Sequence, residues 1–103
     1  MKPDNLSFIS LAMEKMDNDK VAAESRVKEL PCNQGGTVQE YFDKQVSNPG
    51  VEDHGWSTTP FEGGFEVEKH LLLLGTKELT YHWRVTSKGE IIAVNAKADS
   101  ITK

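Results

Sequence analysis

The sequence predicts an α+β fold: a four-stranded antiparallel meander packed on one amphipathic helix, with one or two further helices at the N-terminus. Three observations carry this. Between Gly55 and Asn95 apolar residues alternate with polar ones in runs cut by glycine-bearing turns, the pattern of consecutive antiparallel strands. Thr37 followed by Glu40 is a capping box that starts a helix with Val38, Tyr41, Phe42 and Val46 on one face, wide enough to cover a sheet. Upstream of both, Leu6, Ile9, Met13 and Met16 recur at three- and four-residue spacing.

In chain order, residues 1–19 form an amphipathic helix capped by Asp4 or Asn5, and 20–103 form a single α+β domain. A second helix runs from Lys20 to Leu30 and stops at Pro31, with few apolar residues to hold it: Val21, Ala23, Val27 and Leu30. The Thr37 helix spans 37–47 and ends at Asn48, Pro49 and Gly50. Strands follow at about 55–60, 65–74, 78–86 and 90–95. The first points Trp56 and Thr58 inward. The second and third place Phe65, Val67, Leu71, Leu73, Leu79, Tyr81, Trp83 and Val85 on the core face, and Glu66, Glu68, His70, His82 and Arg84 on the other. Lys69 is the exception on the apolar face; its stem lies along Trp83 and its ammonium reaches an edge. A loop of Gly75, Thr76 and Lys77 would set Leu71 opposite Tyr81, Glu68 opposite Arg84 and His70 opposite His82. The fourth strand, apolar on both faces, is central or an association edge, and 96–103 is polar enough to fray.

Composition narrows function. Sixteen acidic against twelve basic residues leave a formal charge of -4 without a Lys/Arg block, which disfavours nucleic acid. One cysteine, Cys32, and three scattered histidines match no zinc spacing, and the apolar patch near the N-terminus is too short for a membrane span or a signal segment, so the cytoplasm is the expected compartment. The chain offers no catalytic residues and no cofactor site. Gly35 and Gly36 before a helix resemble an anion nest but lack a phosphate-loop lysine. Asp53 and His54, adjacent in a strand, point to opposite faces and fail as a dyad.

Two groups of residues remain as candidates. Leu6, Ile9, Met13, Met16 and Ile91 are apolar positions for contact with a protein partner or a second copy. Glu68, His70, His82 and Arg84 form a polar sheet face on which two facing imidazoles would sense pH or bind a divalent metal, with Glu66 beside them. The reading is therefore a small non-enzymatic interaction or regulatory module, with a metal- or pH-responsive domain and a small enzyme as alternatives.

Between Val27 and Asn95 the chain resembles small bacterial α+β domains of uncharacterised function. The residues that carry the likeness are Val27-Lys28, the Thr37-Val38 helix start with Phe42-Asp43, Gly55-Trp56, Gly64 with Val67, Trp83 with Val85, and Asn95. The resemblance implies the fold and no catalytic residue. Many such domains are secreted or lipid-anchored; no lipobox is evident in this chain.

Overall fold

The computed structural model describes residues 19–102. Its elements are α1 (19–28), α2 (Val38–Val46), β1 (Val51–Phe61), β2 (Gly64–Leu73), β3 (Lys77–Thr86), β4 (Ile91–Ala93) and α3 (Ala96–Thr102). The N-terminal stripe Leu6, Ile9, Met13 and Met16 lies outside the described residues. The four strands form one antiparallel sheet in the order β1-β2-β3-β4, the expected meander in an α+β fold.

Alternation sorts the side chains. Val67, Leu71, Tyr81, Trp83 and Val85 are buried on one face and meet Ala23 and Val27 of α1, Val38 and Phe42 of α2, and Ala98 and Ile101 of α3. Phe42 is the hub, edge-on to Tyr81 at 4.9 Å, Trp56 at 5.5 Å and Trp83 at 6.3 Å between ring centroids. The capping box that starts α2 forms in full: the Glu40 backbone N–H donates to Thr37 Oγ1 and the Thr37 N–H donates to Glu40 Oε1. Glu40 thereby brings its own carboxylate to the glycine pair, where an outside anion was the alternative reading. Among the described residues all three helices sit on the same side, and none of them lies over the face bearing Glu66, Glu68, His82 and Arg84.

Four expectations need correction. The second helix is anchored more firmly than its sparse apolar residues suggest, because Ala23 and Val27 are both in the core and Glu24 accepts from Thr58 Oγ1 at 3.0 Å while pairing with Lys28 at 2.9 Å. The first strand begins at Val51 rather than at 55, since Gly55 forms a bulge inside it instead of preceding it. β4 is an edge strand of three residues, not a central one, and the chain beyond it folds instead of fraying. Asn95 caps α3: its Oδ1 accepts from Ala98 N at 3.0 Å and from His82 N at 3.3 Å, and its Nδ2 donates to the Thr80 carbonyl at 2.9 Å. At the other end Asn33 donates to the carbonyls of Ser100 and Ile101. Asn95→Ala is expected to cost about 2 kcal/mol, the upper range for a cap because a strand contact is lost with it; urea denaturation followed by circular dichroism measures this.

The β2–β3 register is shifted by two residues from the expected one. Leu71 faces Leu79, Lys69 faces Tyr81, Glu68 faces His82, and Glu66 faces Arg84; His70 faces Thr80, so the two imidazoles are not opposite one another. The cause is the turn. It closes from the Leu73 carbonyl to Thr76 N at 3.1 Å with Leu74 and Gly75 both at positive φ, 54° and 71°. A leucine in this conformation is strained by roughly 1–2 kcal/mol, and its side chain is 74% exposed. Leu74→Asn is expected to raise stability by about 1 kcal/mol, because asparagine tolerates the left-handed region. A rise in melting temperature checks it.

Candidate functional site

Two constellations of polar side chains stand out, one on each face of the sheet. The first surrounds Lys69. Between Asp53 and Trp56 the β1–β2 register slips, so that His54 and Gly55 together oppose His70. Gly55 takes φ 88° there, and its N–H donates to Asp53 Oδ1 at 2.7 Å. The bulge brings two residues three apart onto the same face, Trp56 directly opposite Lys69 and Asp53 opposite Leu71. Asp53 Oδ1 accepts from Lys69 Nζ at 2.6 Å, and the ammonium lies 5.4 Å from the Trp56 ring centroid and 5.7 Å from that of Phe42. Lys69 is 2% exposed, the one charged group buried in the core among the described residues.

The ammonium does not emerge at an open edge: it stays buried over Trp56 and Phe42, against Asp53 of β1. The sequence reading missed Asp53 as the partner; the signal was a glycine inside a strand, which marks a bulge and changes which face its neighbours take. His54 stands exposed, apart from this pair.

The Lys69 ammonium, first by its hydrogen bond, holds the Asp53 carboxyl below its ordinary value. A carboxyl depressed in the folded state contributes stability that is fully present above its unfolded pKa and is lost as pH falls through the folded one. Denaturation midpoints are therefore expected to change little on account of Asp53 between pH 7 and about pH 5, and to fall below about pH 4. Asp53→Asn flattens that acid limb.

The second constellation lies on the open face. Here Glu66, Glu68, His70, His82 and Arg84 form a zigzag across the hairpin. His70 Nε2 is 3.1 Å from Glu68 Oε1; His82 Nδ1 is 3.8 Å from Glu68 Oε2, and its Nε2 is 2.8 Å from Glu66 Oε1. Arg84 Nη2 donates to the same Glu66 oxygen at 3.2 Å and stacks its guanidinium 4.8 Å over the Phe61 ring. The His82–Glu66 approach is close but out of line for a hydrogen bond, which leaves His82 Nε2 and Arg84 Nε buried without one. Arg84, followed by His82, lowers the Glu66 carboxyl. Asp53 and Glu66 are thus both held below the ordinary carboxyl range, which favours the anion.

The four expected polar-face residues thus share one face and one network, tied through Glu66, although not in the expected pairs. Among the described residues no group of three or more His, Cys, Asp or Glu side chains converges as a metal site. Cys32 is a buried free thiol. Burial raises the Tyr81 phenol, with Tyr41 beside it adding to the effect. Of the apolar candidates, Ile91 leans on the core; its neighbours Ile92 and Val94 are exposed instead, at 49% and 41%.

These features define a small α+β domain whose described helices all cover one face of its sheet. No described helix is long and apolar enough to cross a membrane. Comparison with models of known protein families, with curated proteins and with solved structures finds no match.

Proposed function

We propose that this chain is a small non-enzymatic protein-interaction module whose contact surface is the open face of its sheet. The observation that carries the reading is one-sidedness: three helices share one face, while the other sets half-buried Phe61 and Leu72 and exposed Ile92 among the Glu66–Arg84 network. At standard spacings the three long strands project roughly 14 by 30 Å and the three-residue β4 adds a short flange, a face for an interface at the small end of the usual range. Strand addition fits less well. The β1 edge carries a bulge and Pro60, and β4 is short, both devices that blunt an edge. The same reading places the module in the cytoplasm, where a thiol such as Cys32 stays reduced.

The test is a face variant, Arg84→Glu with Ile92→Lys, checked for an unchanged melting temperature. A protein retained by the immobilised wild-type domain, purified, and bound in isothermal titration should lose affinity tenfold or more for the variant. Equal binding by both would defeat the reading.

A second reading has its own observation, the contact of both imidazoles with carboxylates. Glu66, Glu68, Arg84 and, across from Leu72 on the same face, Glu52 and Glu78 sum to -3; two protons on His70 and His82 would take the face to -1. Imidazoles titrate between about pH 5 and 8. Binding that is identical at both ends of that range removes this proton-responsive reading.

A further inference from the structure

The two ends of the β2–β3 hairpin carry complementary features. At the turn, Leu74 is the one non-glycine residue at positive φ among the described residues, and it is also the most exposed large hydrophobic side chain. An asparagine would relieve both costs, so the leucine serves no purpose that the turn itself requires; strain of this kind is tolerated where a residue has work outside its own fold. Its position is fixed: Leu74 N donates to the Gly50 carbonyl at 2.7 Å, and its Cδ2 lies over Gly50, where a side chain would collide with it. Next to this knob in the ladders stand Glu52 and Glu78, each opposite Leu72, and Lys77, opposite Leu73, all exposed.

At the opposite end of the hairpin, nine residue rises or about 30 Å away, a cleft of about 400 Å³ opens between α1 and the ends of β2 and β3. Ala22, Phe65 and Val85 supply apolar lining, and Arg26 and Lys88 stand at it with Asp19 as the single anion. The knob has two acids and one base; the cleft has two bases and one acid.

We propose that Leu74 of one copy seats in this cleft of the next, so that the chain associates head to tail. The proposal rests on the reading of the chain as an interaction module and names its partner at these two ends as a second copy. Because two different surfaces meet, each added copy leaves one knob and one cleft free, and the assembly grows instead of stopping at two. The cleft is wide enough for a leucine side chain, and charges of opposite sign fix its orientation.

Sedimentation velocity on the full chain tests this. Wild type should sediment faster as its concentration rises from micromolar to millimolar. Leu74→Asn, which keeps the cleft, and Ala22→Glu, which keeps the knob, should each stay monomeric at the same concentrations. Mixed in equal amounts, the two should form a dimer that grows no further. The Arg84→Glu, Ile92→Lys face variant should associate as wild type does, so failure here and failure of the open-face reading are told apart.

Melting curves establish that each variant is folded. A wild-type monomer throughout overturns the proposal. Variants that still self-associate, or a mixture that stays monomeric, overturn it as well.

Discussion

Gly64→Ala is expected to lose at least ~3 kcal/mol of stability, a large share of the roughly 5–15 kcal/mol that holds a domain folded. Gly64 opens β2 at φ 148°, and an added Cβ would lie 2.0 Å from the Val85 carbonyl oxygen, 2.9 Å from Thr86 Cα and 3.0 Å from Thr86 C. All three are backbone atoms of the neighbouring strand. They cannot move aside without breaking the ladder at Gly64 and Thr86, or the bond from Ser87 N to the Gly63 carbonyl that closes this end of the hairpin. Gly75→Ala is the control. Its φ is also positive, but nothing lies within 4 Å of the added atom, so only the conformational cost of roughly 1–2 kcal/mol applies. Urea denaturation of the two variants separates collision from conformation; equal losses would mean that the close approach at Gly64 is not what requires glycine.

The second large effect concerns Lys69. Lys69→Ala is expected to cost about 3–5 kcal/mol, because it deletes a fully buried stem among Phe42, Trp56 and Tyr81 and removes the partner of Asp53. Lys69→Met keeps the volume without the charge and should fall within about 1 kcal/mol of wild type, on either side. Asp53→Ala should cost about 2 kcal/mol: the ammonium loses its carboxylate, but the Asp53 side chain is 46% exposed and water can reach the site to replace part of the bond. The ordering Met above Asp53→Ala above Lys69→Ala is the informative outcome. If methionine is as damaging as alanine, the ion pair and the aromatic contacts stabilise the fold more than the stem does.

Particular residues show how far the sequence was legible. The α+β meander, its order and its core face followed from period-two alternation, and the α2 start from Thr37 and Glu40, because these are local patterns with direct structural meaning. The β2–β3 register was not legible. Alternation forbids a slip of one residue but is indifferent to a slip of two, which keeps every side chain on its face and changes only its partner. Choosing between the two depended on the turn, and the turn centres on Leu74, a residue that propensity places almost anywhere else. His70 and His82 therefore shared a face as expected, while the facing pair did not form.

The Asp53–Lys69 pair was hidden for a related reason. Strict alternation puts Asp53 and Trp56 on opposite faces, and only the bulge at Gly55 brings them together. α3 was hidden because its apolar content is small: Ala98 and Ile101 alone are buried, and the helix forms because Asn95 caps it, Asn33 ties its carbonyls and Trp83 Nε1 donates to Thr102 Oγ1 at 3.4 Å. The polar face was read correctly as a group, since membership depends on parity alone; its connections depend on register.

The proposed contact surface is the sheet face that no described helix covers. It is tested most directly by mapping amide chemical-shift changes when a purified partner is added to isotope-labelled domain. Shifts should concentrate at Ser57, Thr59, Glu66, Glu68, His82, Arg84 and Ile92, whose side chains stand on that face. Shifts concentrated instead on α1, α2 and α3, with these seven unmoved, would contradict it.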